Sequence, residues 1–267
     1  MPPIINNSCE KGTVMNSILL NLLLLAGAGL IGYLIGSIPW GVVVGKVFYG
    51  KDPRDYGSHN SGGTNCGRVF GKKAGYSVIL LDMSKTIVTF WLVWGLIIPT
   101  KLFGYGLDDL WLNSLGCPGA LIPWVAVVFS TIGHCWSIFL KGFKGGKAVS
   151  CFSGSVVATS WFEFVVGFTF FLSVFLPKKI MSIASIATSI FITIFQWTMA
   201  ILVQVFGGEG IMAIFSWGFG SFNAGYVFGW WTAIATTFMA ILLIIRHSQN
   251  IQRLKAGEEK PLVWENK

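Results

Sequence analysis

Four polar stretches of this 267-residue chain carry residue types suited to holding an anion. The first, Gly57 to Arg68, reads GSHNSGGTNCGR: four glycines, two serines, a threonine, two asparagines and an arginine. Glycines let successive backbone N–H groups converge on one point, and hydroxyls and amides add donors around it. A phosphate suits that chemistry; a flexible interhelical turn is the alternative. The second, Phe143 to Lys147, reads FKGGK and leads into an apolar helix starting about Lys147. Gly145 and Gly146 would then present free N–H groups at the positive end of a helix, with Lys144 and Lys147 adding charge. It is not a Walker A loop, since Lys141 stands at the first glycine position and Ala148 replaces the serine or threonine. A merely basic turn is its competing account.

The third stretch, KKIMSIAS, puts Ser182 and Ser185 one turn apart on a helix that begins beside Lys178 and Lys179. Serines so placed also bond back to their own helix. In the fourth, RHSQNIQR, His247 and Asn250 lie three apart on one helix face. A basic flank to a membrane span would explain the arginines there but not this His and Asn. The three histidines are scattered, and the five cysteines (Cys9, Cys66, Cys117, Cys135, Cys151) form no Cys-x-x-Cys pair. We therefore read no metal site, no cofactor and no disulfide framework, and expect most cysteines to pack as apolar groups.

These residues must be positioned by membrane helices. Hydrophobic residues make up 54% of the chain and charged ones 11%, with a mean hydropathy of +0.68; a soluble domain carries about 25% charged residues. The expectation is an all-α polytopic membrane protein. Apolar runs at 18–44, 75–98, 121–140, 182–205 and 226–245 suit single spans. The run at 148–176 is long for one span and short for two.

Charge arbitrates. Sixteen of the nineteen lysines and arginines fall in 46–73, 141–147, 178–179 and 246–267, whereas 99–120 and 206–225 hold one lysine and three acids. Cytoplasmic connections carry the excess of Lys and Arg. For 141–147 and 178–179 both to be cytoplasmic, the chain must cross twice between them, turning near Ser160 to Glu163. Seven spans result, N-terminus outside and C-terminus cytoplasmic, with every polar stretch on the cytoplasmic face. The expected division is a polar, unstructured extension at 1–16, a seven-span domain at 17–257 and a cytoplasmic tail at 258–267. The net charge of +8 is thereby a matter of topology and implies no nucleic-acid partner. Pro39 should kink or end the first span. Asp82 and Lys85, three apart within a span, should pair as a brace, and His134 should bond a backbone group.

The ordered set GSIPWG, GSHNSGGTNCGR with GKKAG, GH with FKGGK, SIAS and HSQNIQRL, from about residue 30 to 257, resembles the bacterial glycerol-3-phosphate acyltransferases that use acyl-phosphate as donor. That resemblance implies transfer of a fatty acyl group to the 1-hydroxyl of glycerol-3-phosphate, giving lysophosphatidic acid and phosphate. It also implies a site on the cytoplasmic face of a bacterial cell membrane, contact with membrane lipid, and supply of acyl-phosphate by the peripheral enzyme that makes it. Ser58 and Arg68 would be phosphate ligands, with Asn60, Thr64 and Asn65 shaping the loop. Gly145, Gly146 and Lys147 would form a second phosphate cradle. Ser185, His247 and Asn250 would orient the glycerol and its reacting hydroxyl, and no acyl-enzyme would form. The His-x₄-Asp pair of the other large class of glycerolipid acyltransferases is absent, since Thr64, Phe139 and Gln252 stand five after the three histidines. The chain departs from the family pattern at His59 and Ala148, where glycine is usual, and at Gln249, where glutamate is common. An anion transporter or channel using the same loops is the rival, and a lipid phosphotransferase or phosphatase would want acidic metal ligands, for which Asp52 and Asp55 are the nearby candidates.

Overall fold

A computed structural model describes residues 7–97, 118–206, 216–217 and 227–264, and among them every regular element is helical. Helix α1 (Asn7–Ser37) leads across a short break into α2 (Trp40–Tyr49). The break falls at Pro39, which lacks the N–H a continuing helix needs. A single 3₁₀ turn (Pro53–Asp55) and the first polar stretch precede α3 (Gly63–Phe70), and Gly71, at φ 96°, turns the chain into α4 (Lys72–Ile97). Then come α5 (Pro118–Cys135), a 3₁₀ turn at Lys141–Phe143, α6 (Val149–Thr159), α7 (Trp161–Lys178), α8 (Met181–Phe206), α9 (Trp230–Arg246) and α10 (Ser248–Lys255).

Where the sequence required a turn, Ser160 ends α6 in extended backbone and caps α7, its Oγ accepting from the Glu163 N–H at 3.1 Å. This is the Ser-x-x-Glu start of a helix. Among the described residues, four stretches are long and apolar enough to cross a membrane: Asn21–Tyr49, Lys72–Gly95, Trp161–Lys178 and Met181–Val203. The pair α9 and α10, bent by 57°, makes a fifth if counted as one span. Helix α6, eleven residues, reaches about 16 Å against a hydrocarbon core of about 30 Å.

The expected unstructured extension is corrected in part: α1 begins at Asn7, and residues 1–6 lie outside the described ones, as does most of 206–225. The tail is not a loose end either. Leu262 N–H donates to the Lys179 carbonyl at 2.7 Å, and the Trp264 indole donates to the Thr64 carbonyl at 3.3 Å.

The core gathers Phe90, Trp124, Phe152, Ile192, Met239 and Leu243 from α4, α5, α6, α8 and α9, with Phe228 from the segment just before α9. Helices α1 and α5 meet backbone to backbone: a Cβ at Gly32 or Gly36 would overlap the Ala126 or Ser130 carbonyl, the close approach small residues permit between membrane helices. Cys66, Cys135 and Cys151 are free and buried, as expected. Asp82 and Lys85 form the expected buried pair at 2.8 Å. His134 joins them rather than bonding a backbone group through its ring, with Nδ1 3.5 Å from Asp82 and 3.3 Å from Lys85 Nζ.

Candidate active site

One cavity of about 560 Å³ collects the four polar stretches at its head and continues as an apolar arm. Ser58, Asn60, Thr64, Asn65, Arg68, Lys147, Ser185, His247 and Asn250 all line it. Tyr76, Ile79, Leu80 and Met83 of α4 line the arm together with Phe164, Gly167, Phe168, Phe171, Leu172 and Phe175 of α7. Both sets repeat at three- and four-residue intervals, so each is one stripe of a helix. From Phe175 to Phe164 the arm follows eleven residues of helix, about 16 Å.

The first loop is built around Asn65. This side chain is 1% exposed. Its amide nitrogen donates to the carbonyls of Pro53 (2.7 Å), Asn60 (2.8 Å) and Tyr56 (3.1 Å), while Oδ1 accepts from the Ser58 N–H at 2.8 Å. Asn65 thus spends its polar atoms on loop shape, which satisfies backbone groups that burial would otherwise leave unpaired. Asn60 accepts from the Gly62 N–H at 2.8 Å and donates to the Gly145 carbonyl at 3.2 Å, tying the first loop to the second. Gly62, Gly63 and Thr64, at the start of α3, line the cavity, and a helix's first N–H groups have no intrahelical acceptor. His59 sits at φ 53°, a left-handed backbone that glycine adopts without cost. Its ring donates to the Arg54 carbonyl at 3.0 Å, and it does not line the cavity.

The second loop corrects the expectation of free glycine N–H groups. The Gly145 N–H donates to the Cys135 carbonyl at 3.1 Å and the Gly146 N–H to the His134 carbonyl at 2.9 Å. Their own carbonyls accept from Arg246, Nη2 to Gly145 and Nε to Gly146, both at 3.1 Å. Neither glycine lines the cavity. Both are instead pressed on the end of α5: a Cβ at Gly145 would overlap the His134 carbonyl oxygen, and one at Gly146 the His134 ring. The loop is a pedestal for Lys147. Ala148 follows at φ 66°; like His59, Phe143 and Lys179, it puts a side chain on left-handed backbone.

Lys147 donates from Nζ to Asn250 Oδ1 at 2.7 Å. Burial pushes this lysine down to about 8, with Arg253, Arg68 and Arg246 acting in the same direction and Glu259 opposing them. Arg68 faces the same cavity, and a guanidinium keeps its charge despite burial. His247 donates from Nδ1 to the Leu243 carbonyl at 2.8 Å; a carbonyl only accepts, so the proton sits on Nδ1 and Nε2 is left as an acceptor. Ser185 donates back to the Met181 carbonyl at 2.8 Å and keeps its lone pairs.

Sequence reasoning missed Glu259, Trp264, Asp82 and His134 as cavity-lining residues. The Trp264 indole lies against α3 and α4 where a Cβ at Gly67 would collide with it, and it meets Tyr76 edge-on with ring centroids 4.9 Å apart. No local periodicity marks such a tail contact. The i, i+3 spacing of Asp82 and Lys85 was visible, but not that His134 completes the cluster.

Comparison with known proteins adds three findings. A family model described as glycerol-3-phosphate acyltransferase matches residues 26–257. A glycerol-3-phosphate acyltransferase of Latilactobacillus sakei subsp. sakei is 35% identical over 230 residues, covering 86% of this chain and 88% of that one. One of Mesoplasma florum is 32% identical over 256 residues, covering 88% and 93%. The crystal structure of PlsY (YgiH), an integral membrane glycerol 3-phosphate acyltransferase, superposes in its glycerol 3-phosphate form with a TM-score of 0.64 at 28% identity, over 91% of this chain and 96% of that one. Its lysophosphatidic acid form gives 0.63 at 26% identity, over 89% and 94%.

Proposed function

The chain belongs to the glycerol-3-phosphate acyltransferase family, and on that premise we propose that it transfers a fatty acyl group from acyl-phosphate to the 1-hydroxyl of sn-glycerol-3-phosphate. The products are lysophosphatidic acid and inorganic phosphate. One observation carries this: Arg68 and Lys147 line the same cavity as the apolar stripes of α4 and α7. Such a shape suits a phosphate at one end and a hydrocarbon chain at the other, which both the donor and the product possess. Glycerol 3-phosphate and lysophosphatidic acid, which name the two PlsY forms, are the acceptor and product of this reaction.

The chemistry asks little of the protein. The mixed anhydride is already activated, so holding two reactants in contact supplies much of the acceleration. The acceptor hydroxyl oxygen attacks the acyl carbon, the bond from that carbon to the phosphate oxygen breaks, and the hydroxyl proton passes to the departing phosphate. Arg68, Lys147 and the first N–H groups of α3 stabilise the charge that collects on the leaving group. A well-aimed donor of this kind is worth about 3 kcal/mol. His247 Nε2 and Ser185 Oγ accept from the acceptor's hydroxyls and orient them. Asn250, with both ends of its amide engaged, acts by holding Lys147, and Asn60, Asn65, Gly145 and Gly146 act through loop shape. No acyl-enzyme is needed.

The accompanying topology is a seven-span bundle in a bacterial cytoplasmic membrane, N-terminus outside, with the cavity head on the cytoplasmic face; the grouping of Lys and Arg supports it. The test is a donor assay on purified protein in detergent or lipid, with glycerol-3-phosphate and either acyl-phosphate or acyl-CoA. Lysophosphatidic acid should form from acyl-phosphate. Turnover with acyl-CoA and none with acyl-phosphate would sink the donor assignment.

A further inference from the structure

Glu259 lies outside the four polar stretches, yet its carboxylate joins two helices, α8 and α10, at the cavity head. Oε1 accepts from the Asn250 amide nitrogen at 2.6 Å and from Ser182 Oγ of α8 at 2.9 Å. Oε2 accepts from Arg253 Nε of α10 at 2.7 Å. Asn250 turns its other end to Lys147, which donates to Oδ1 at 2.7 Å. A carboxylate only accepts and an ammonium only donates, so these two neighbours together fix which way the amide faces.

We propose that Glu259 is a positioning residue of the acyl-transfer site: by holding the Asn250 amide with its oxygen toward Lys147, the tail aims the Lys147 ammonium into the cavity. One ammonium hydrogen is spent on Asn250, leaving two for an anion. Without the carboxylate the amide can rotate, and its NH₂ then meets the ammonium donor to donor. The electrostatics point the same way. Lys147 faces Arg68 from α3, Arg246 and His247 at the end of α9, Arg253 from α10, and Glu259 from the tail. The arginines weigh against its charge and the Glu259 carboxylate supports it. Burial works against that carboxylate, but hydrogen bonds from Asn250, Arg253 and Ser182 hold it below the usual carboxylate range, so it is charged throughout the range in which Lys147 titrates. None of its three partners is substrate, which is why its effect on catalysis passes through Lys147.

The inference rests on the acyl-transfer reading, and one set of measurements separates the two. Purified wild type, Glu259→Gln, Asn250→Asp and the double variant are compared in kcat/KM with acyl-phosphate and in glycerol-3-phosphate binding, both across pH 6.5 to 9.5. Glu259→Gln keeps an acceptor oxygen but loses the charge and the fixed polarity. It should lower kcat/KM at least about tenfold and move the alkaline fall of both profiles to lower pH, because Lys147 loses the carboxylate that supports its charge. The double variant restores one carboxylate and one amide with the polarity reversed, and should recover most of what Glu259→Gln loses. A residue that merely packs the tail would leave the alkaline fall in place and show no recovery. Glu259→Gln with wild-type rate and wild-type pH dependence overturns the proposal, as does an inactive double variant. Should Glu259→Gln alone fail to fold, the double variant decides. If wild type transfers no acyl group, the donor reading fails, and the binding profiles still decide the role of Glu259.

Discussion

The pH dependence of Lys147 offers a sharp test of the site. An ordinary lysine titrates near 10.5, and burial with three arginines facing it pushes this one down to about 8. If its ammonium stabilises the leaving phosphate, kcat/KM should fall above pH 8. At pH 9 about one lysine in ten would remain charged, a roughly tenfold loss or about 1.4 kcal/mol of transition-state stabilisation, whereas an unperturbed lysine would lose almost nothing. The phosphate groups of the substrates titrate near pH 6, well clear of this window. The sign for stability is opposite. Between pH 8 and 10.5 the unfolded chain binds the proton that the folded Lys147 has released, so this group's contribution to stability rises with pH. Activity lost at pH 9 therefore cannot be put down to this group unfolding the protein. The assay is a kcat/KM profile from pH 6.5 to 10 for wild type and Lys147→Arg, with thermal midpoints measured alongside. A guanidinium stays charged throughout, so the arginine variant should have a lower plateau and no alkaline fall in this range. A wild-type profile flat to pH 9.5, or the same fall in Lys147→Arg, would refute the assignment.

Two further outcomes follow from close contacts. Gly146→Ala drives a methyl group into the His134 ring and should cost about 1–3 kcal/mol of stability and at least about tenfold in kcat/KM by displacing Lys147; wild-type values in a thermal melt and a rate assay would show that the pedestal tolerates the methyl. Trp264→Ala removes the indole seated against Gly67 and Tyr76 and should expose residues 258–264 to limited proteolysis several-fold faster than wild type, read by mass spectrometry. Unchanged cleavage would mean that Trp264 does not hold the tail down.

What the sequence by itself determined is what depends on neighbours along the chain. Apolar run lengths marked the helices, the uneven placement of lysine and arginine required the turn that Ser160 makes, and the Asp82–Lys85 pair followed from i, i+3 spacing. Residue type alone drew attention to the polar stretches around Arg68 and Lys147. Family resemblance then gave those stretches their expected roles.

Only the tertiary structure decided which donors remain free. Gly145 and Gly146 offer no N–H to an anion, because α5 ends beneath them and its last carbonyls take both. His134 reaches Lys85 across 49 positions, and Trp264 reaches Thr64 across 200. Glu259 lies in the tail by sequence, and packing alone brings Asn250, Ser182 and Arg253 onto its carboxylate. Such contacts leave no periodicity in the sequence, since a hydrogen bond between distant segments depends on how the helices pack and not on the residues beside each partner. The chemistry-bearing residue types were legible in order; their division into those that face the cavity and those that hold them there was fixed by packing.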